Sequence, residues 1–473
     1  YLRYLATYLV QEPDVPNVLK EVIQSHAREL KQYLNIGQAG EGLLFLYLAY
    51  KYIDNDGTIA FVLPRSLLSG VAWFLARALF TTKFHLRYVI VSSDGEGGYN
   101  FSEGVSLSEC LVVAKRKEIH NDDEETIFVN LLRKPKTAFE AIMLAEEIRR
   151  AVREMRPYAR SWEAVALLTK VKRKDLLHAI DNWNRFVATT DPRLNEFAMN
   201  MLNNECIVFG HRINIKVPLI SFGELIKSIG LNRRGDFIKA YILEIVGNKV
   251  DCRASSHEGL ENTYPMVCGG DEEIRMTMKT SPNAFVLPRN FEHAERIWKN
   301  YASRLLVPSR IWWDTTHVTA LYSDKRVVAN MFFMVRLKDE TDEELSRHEK
   351  ALTLWLNTSF GILSMLINRS ETRGRFSSLE ISHWRNLPVL NVKELAMETL
   401  QRLSELFDRI ALKSPRRIPD QFLGDPERVD PVRLEIDLGF LKAIEPNVNE
   451  AEVREELLRL YDIIGKALKE WIS

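Results

Sequence analysis

Between Gly40 and Lys117 two kinds of apolar run alternate, which restricts this part of the chain to folds in which helices cover a sheet. GEGLLFLYLAYKYI (40–53) carries apolar residues at helical spacing, DNDG (54–57) ends it, and TIAFVLP (58–64) is an unbroken apolar run of strand length. Strands buried on both faces have this unbroken character, so the pattern predicts a helix leading into a buried parallel strand. RSLLSGVAWFLARALF (65–80) predicts a second helix. HLRYVIVSS (85–93) and ECLVVAKRK (109–117) predict two more strands, joined by the glycine-rich loop DGEGGYNFSEGVS (94–106), expected to be exposed and flexible. The acidic run Asp122–Glu125 reads as a solvated turn before the strand TIFVNLL (126–132), and an amphipathic helix is expected from Thr137 to about Met155.

Beyond Asn182 the texture changes to short β-rich pieces such as ECIVFG, FIKAYILEIVG, EIRMTMKT, SRLLVPSRIWW and RVVANMFFMVRL, which places a domain boundary near residue 190. Ala351–Ile367, the most apolar long run, is interrupted by Asn357, Thr358 and Ser359 and reads as one buried helix rather than a membrane span. A helix is expected from Glu394 to Leu412, then the proline- and charge-rich linker KSPRRIPDQFLGDPERVDP, then a helix from Asn449 to Trp471. No internal repeat or low-complexity tract is visible.

The 473 residues can fill more than one core. Basic and acidic residues balance at 64 each, so binding of nucleic acid requires a local basic face rather than a polycationic chain. Cys110, Cys206, Cys252 and Cys268 have no paired spacing, which argues against a disulfide framework or zinc ribbon and for a reducing, cytoplasmic setting. Cys252, His257 and Cys268 share a loop-rich stretch but do not make a full tetrahedral ligand set. The chain opens at Tyr1 directly into helix-like YLRYLATYLV, so something is expected to precede it.

Taken together, DNDGTIAFVLPRSLLSG, the second strand, the NFSEGV loop and the third strand resemble the later motifs of gamma-type adenine-N6 DNA methyltransferases. LTLWLNTSFGILSMLINRSETRGRFSSLEISHWRNLPVLNV (352–392) resembles the end of the target-recognition region in large N6 methylases, including those fused to restriction functions. DNWNRFV (181–187) and VPLISFGELIKSIGLNRRGDF (217–237) resemble further pieces of the same enzymes. The chain departs from the family in lacking both the glycine-containing loop that binds S-adenosylmethionine and the (N/D/S)PP(Y/F/W) tetrapeptide. Both normally lie upstream of DNDGTIAFVLP, and the decoy SPNAF at Ser281 lacks the second proline. Without those acceptors for the adenine amino group the chain alone is not expected to methylate.

The resemblance implies an architecture of α/β plus α+β: the C-terminal part of a Rossmann-like methyltransferase sheet with a helical connector (1–190), a target-recognition domain (191–392), and a C-terminal helical region (393–473), with DNA in the cleft between the domains. It implies S-adenosylmethionine as cofactor, bound mainly upstream of this chain, double-stranded DNA as partner, and a catalytic or restriction subunit as a further one. Phe101 matches the position of the aromatic face that holds a flipped base, although an aromatic capping a strand edge reads the same way. Arg369, Thr372, Arg373, Gly374 and Arg375 form an arginine-glycine turn suited to phosphate or guanine contacts, unless the arginines only pair with Glu371 and Glu380. Arg310 and Trp313 of SRIWWDTTH, with Trp312 alternating to the other face and His317 nearby, and Arg233 and Arg234 of NRRGD, complete the DNA-binding candidates. The clusters at Lys170 and Lys413 offer phosphate neutralisation or solvated faces. DGEGGY at Asp94 lacks the lysine and helix start of a phosphate loop. The alternative is a DNA-binding specificity module acting with a separate catalytic partner. No PD…ExK pattern supports a nuclease in these residues.

Overall fold

The alternating runs near the start of the chain do build a helix-covered sheet. A computed structural model describes residues 42–472 except 106, 118, 203–204, 208–214, 231–233, 247–248, 252–260, 270–271, 339–340 and 370–375. The elements of its first part are α1 (Gly42–Tyr52), β1 (Thr58–Pro64), α2 (Phe74–Lys83), β2 (Phe84–Ser92), β3 (Glu109–Arg116), β4 (Glu125–Arg133), α3 (Ala138–Arg153), β5 (Tyr158–Ser161), β6 (Ala164–Lys172), α4 (Arg173–His178) and α5 (Pro192–Leu202). The sheet order is β1-β3-β2-β4-β6-β5. β3 runs antiparallel to both β1 and β2, and β2 runs parallel to β4, so β1, β2 and β4 all point the same way.

Alternation along the central strands gives this sheet two cores. Val89, Val91 and Phe128 pack with Leu43, Leu46, Trp73 and Phe80 on one face. Ile127, Val129 and Leu131 pack with Leu144 and Ile148 of α3 on the other. Each such side chain, fully buried, contributes about 1.5–3 kcal/mol.

Three expectations change. The run 58–64 is apolar throughout, but β1 pairs antiparallel with β3 and alternates between exposed and buried residues, with Val62 43% exposed; it is not a doubly buried parallel strand. The helix expected over 65–80 breaks into two short 3-10 turns, Arg65–Leu68 and Val71–Trp73, before α2 begins. Gly70 sits at the break, where a Cβ would come within 2.7 Å of the Ser66 carbonyl oxygen. The basic cluster at Lys170 does not offer itself to phosphates, because the β4–β6 ladder sets it beside the acidic run. Lys172 pairs with Asp123 at 2.9 Å, Arg173 with Asp122 at 2.9 Å and Lys170 with Glu125 at 3.5 Å. Most of these carboxylates and both lysines are exposed, so the pairs contribute little to stability while still balancing the local charge.

The chain divides after Leu202, not near residue 190, and residues 367–369 belong with the first unit. The helices after residue 393 are part of the second unit rather than a region of their own. In the second unit β9 (Ile226–Ile229), β12 (Tyr264–Cys268), β14 (Ala284–Val286), β15 (Ser303–Pro308), β17 (Leu321–Asn330) and β18 (Phe332–Leu337) form a mixed sheet in the order β14-β12-β17-β15-β18-β9, with β13 (Lys279–Thr280) also paired to β17. Two-stranded ribbons join β10 (Glu244–Val246) to β11 (Lys249–Asp251) and β16 (Arg310–Trp312) to β19 (Phe376–Ser378). β20 (Pro388–Leu390), β8 (Lys216–Ser221) and β7 (Glu205–Ile207) make a small third sheet. Cys268 is disulfide-bonded, which unpaired spacing in the sequence did not anticipate; Cys252 and His257 lie outside the described residues.

The apolar run 351–367 is two helices, α6 (Asp342–Asn357) and α7 (Ser359–Asn368), bent by 72° at Thr358. The polar residues make the bend. Asn357 accepts from the Thr319 N–H at 2.7 Å and donates to the Ala320 and Thr353 carbonyls, Thr358 Oγ1 donates to the Trp355 carbonyl, and the Ser359 N–H donates to Asp437 at 2.8 Å. A Cβ at Gly361 would lie 2.1 Å from the Trp355 carbonyl oxygen, so only glycine fits the corner. Asp437 itself is buried between Arg433, Ser359 and Tyr461, whose hydroxyl donates to it at 2.7 Å; burial pushes its pKa up, against the pull of Arg433. Among the described residues no single helix is long and apolar enough to cross a membrane.

Candidate functional site

Because β1, β2 and β4 point the same way, their carboxyl ends lie along one edge of the sheet, and the chain segments that leave those ends carry the polar residues of interest. Arg65 follows β1, the loop 93–108 follows β2, and Lys134 follows β4. Arg65 is 3% exposed; its Nε donates to Asn184 Oδ1 and one terminal nitrogen to the Ser92 carbonyl, both at 3.3 Å.

The loop expected to be flexible is held by two buried carboxylates. Asp94 Oδ1 accepts from the N–H groups of Glu96 (3.0 Å) and Gly97 (2.9 Å), and its Oδ2 accepts from the Lys134 N–H (2.8 Å). Burial alone would raise its pKa, but these backbone donors outweigh it and hold the carboxyl below its usual range. Gly98 then turns with φ +77°, in the left-handed region. Glu109, at the start of β3, reaches back with Oε2 to accept from the N–H groups of Phe101 and Ser102, each at 2.7 Å.

Phe101 is therefore fixed through its backbone. Its half-buried ring packs against the core under α3, and Lys134 Nζ lies 5.9 Å from the ring centroid while donating to the Asn100 carbonyl at 2.7 Å. Glu109 and Lys134 were not singled out in the sequence, and Asp94 was named only as the start of a glycine-rich turn. Only Asp94, immediately before the glycine-rich stretch, carried a local sign of its role, that of an Asx turn.

The segment DNWNRFV proves to be a clamp. Asn182 caps the 3-10 turn Trp183–Val187 and donates to the Asn368 carbonyl at 3.1 Å, and Asn184 donates to the Arg369 carbonyl at 3.4 Å. Two stretches that sequence reading treated separately, 181–187 and 367–369, are thus one packed feature of the first unit. Arg369 is 5% exposed and donates to the Ala188 carbonyl at 3.4 Å, which corrects its assignment as a DNA contact: its guanidinium is turned into the protein.

In the second unit β16 and β19 bring together two other candidates. Arg310 pairs with Ser378 and Trp312 with Phe376, so the strand carrying Arg310 and Trp312 runs beside the strand that begins at Phe376. Arg310 and Trp312 share the exposed face of β16. Trp313 is 4% exposed with its indole N–H donating to Ser377 Oγ at 2.7 Å, so the core tryptophan of the pair is Trp313 and the outward one is Trp312; its DNA assignment is corrected accordingly. Thr372, Arg373, Gly374, Arg375 and Arg233 lie outside the described residues, and Arg234 begins the helix Arg234–Ala240. Lys413 pairs with Glu435 at 2.6 Å.

No known protein-family model and no curated protein matches the chain. Among solved structures it is similar to the type IIG restriction endonuclease BpuSI, at 14% identity and a TM-score of 0.38, over 94% of this chain and 52% of that one. The chain thus spans about half the length of that protein, and a likeness at this level decides neither fold nor function.

Proposed function

We propose that this chain is the rear part of a Rossmann-like catalytic domain together with the DNA-recognition region of a site-specific adenine-N6 DNA methyltransferase of the restriction-modification type. The observation that carries the reading is the ordered Phe101 loop on the edge where β1, β2 and β4 end. In open α/β sheets ligands bind outside the carboxyl ends of co-directional strands. An enzyme that modifies a base in a duplex must extrude the base and hold it against such a face. A base stacking on Phe101 displaces Lys134 Nζ from the ring. Stacking contributes about 1–3 kcal/mol per base, against about 0.5–1 kcal/mol for an exposed cation–π contact, so the exchange favours the base and leaves an ammonium beside the nucleotide's phosphate.

The described residues do not compose a site for S-adenosylmethionine. The Asp94 carboxylate is occupied by three backbone donors and Arg65 by protein acceptors. Asn130 Oδ1 at the same edge lacks a hydrogen-bond partner, but a single acceptor cannot hold the group. The reading therefore leaves the cofactor and the tetrapeptide to residues upstream. On the second unit, Arg310 and Trp312 on the exposed face of β16 are the proposed duplex contacts.

The test is Phe101→Ala in the complete polypeptide, comparing methyl transfer to duplex DNA with duplex binding. Methylation is expected to fall much further than binding. Equal loss of both, or of neither, removes Phe101 from the role. Duplex binding by the complete polypeptide without any methyl transfer points instead to a specificity module served by a separate catalytic partner.

A further inference from the structure

Between β17 and β18, which both run antiparallel to β15, stands Met331, whose backbone lies in the left-handed region (φ +68°) and whose side chain is 41% exposed. A non-glycine residue there costs about 1–3 kcal/mol. A left-handed turn residue with no role for its side chain is better served by glycine. The turn sits against the start of β16: Ser309 donates to the Met331 carbonyl from its N–H (3.4 Å) and its hydroxyl (3.3 Å), and Pro308 pairs with Phe332. Met331 thus lies beside the residue that leads into Arg310 and Trp312.

On the same corner Arg275 has no ion pair among the described residues. Its guanidinium carbon is 5.3 Å from the Phe332 ring centroid, and a terminal nitrogen donates to the Gly269 carbonyl at 3.3 Å. Its buried Nε has no hydrogen-bond partner. Burial lowers its pKa, and no carboxylate among the described residues opposes that. The Gly269 N–H donates in turn to the Asn330 carbonyl at 3.2 Å, tying Arg275 to the turn. A half-buried guanidinium that faces no described carboxylate favours an anion at its accessible terminal nitrogens.

We propose that this corner is a second DNA contact of the recognition unit, in which Arg275 takes an oxygen of a backbone phosphodiester and Met331 packs on the sugar and base edges beside it. The inference rests on the duplex-binding reading above. Sequence reading had not marked either residue, because neither lies in a basic cluster or a family motif.

The experiment measures binding of the complete protein to a mixed-sequence duplex over a salt series from about 50 to 200 mM. Arg275→Met is expected to reduce the slope of log affinity against log salt by about one unit, the signature of one lost phosphate contact. Met331→Gly removes the side chain while relieving the backbone, so it is expected to melt no lower than the parent yet bind several-fold more weakly. Arg310→Ala is the comparison. If Arg310→Ala weakens binding while Met331→Gly and a folded Arg275→Met leave affinity and slope unchanged, the corner is not a DNA contact and the broader reading stands. If Arg275→Met fails to fold, the Met331→Gly affinity decides the matter. If the parent protein binds no duplex even at the lowest salt, the inference and the reading beneath it both fall.

Discussion

Removing the Asp94 carboxylate tests whether the Phe101 loop is ordered by a charge held inside it. Asp94→Ala deletes three acceptor contacts, to the N–H groups of Glu96, Gly97 and Lys134. Hydrogen bonds to a charged group contribute about 1.5–3 kcal/mol each, but they do not add here. Glu96 and Gly97 are exposed, so their N–H groups regain water, whereas the Lys134 N–H is half-buried and the loop loses its tie to the end of β4. The expected destabilisation is about 2–3 kcal/mol, which for a unit of roughly two hundred residues lowers its melting temperature by about 4–10 °C. The pH dependence supplies the sharper check. Because the folded-state pKa of Asp94 is depressed, its contribution is complete above the unfolded value of about 3.9 and disappears as pH falls through the lower folded value. Calorimetry of parent and variant at neutral pH and at successively lower pH is therefore expected to show a gap that closes under acid. A variant that melts with the parent at neutral pH, or a gap that stays constant through the carboxylate range, refutes the reasoning.

Two further substitutions separate packing from contact. Gly361→Ala drives a methyl group into the Trp355 carbonyl at the α6–α7 corner and is expected to cost about 2–4 kcal/mol, visible as a lowered denaturation midpoint with unchanged m; a neutral effect means that the bend can open. Trp312→Ala is expected to weaken duplex binding with little change in melting temperature, and Trp313→Ala to lower the melting temperature by emptying a core site. The reverse outcome shows that the exposed face of β16 is not the one that meets DNA.

Much of the first unit was legible because helix and strand runs of different period follow each other between Gly40 and Met155, and periodicity is a local property of the chain; the hairpin of β5 and β6 beyond it was not read from the sequence. The long amphipathic helix begins within a residue of its expected place because Thr137 caps it, accepting from the Glu140 N–H. Strand direction was not local: TIAFVLP looks the same whether its neighbour runs parallel or antiparallel, and the hairpin that inserts β3 beside it decided the matter. The tryptophan pair shows the same division. Sequence predicts that Trp312 and Trp313 face opposite ways, since successive side chains alternate on a strand, but which of them is buried depends on Ser377, sixty-four positions away, offering its hydroxyl to one indole.

Residue identity by itself determined where many of the helices and strands of the first unit form, that Phe101 sits in a glycine-rich loop, and that the charges balance overall. Tertiary structure alone decided which charges remain available. Lys170 and Lys172 are matched by an acidic run across a ladder, Arg369 turns inward to a carbonyl, and Arg275 faces no carboxylate among the described residues. The physical reason is range: backbone propensity and side-chain period act over a few residues, whereas the cost of burying a charge depends on groups that chain folding brings from far along the sequence.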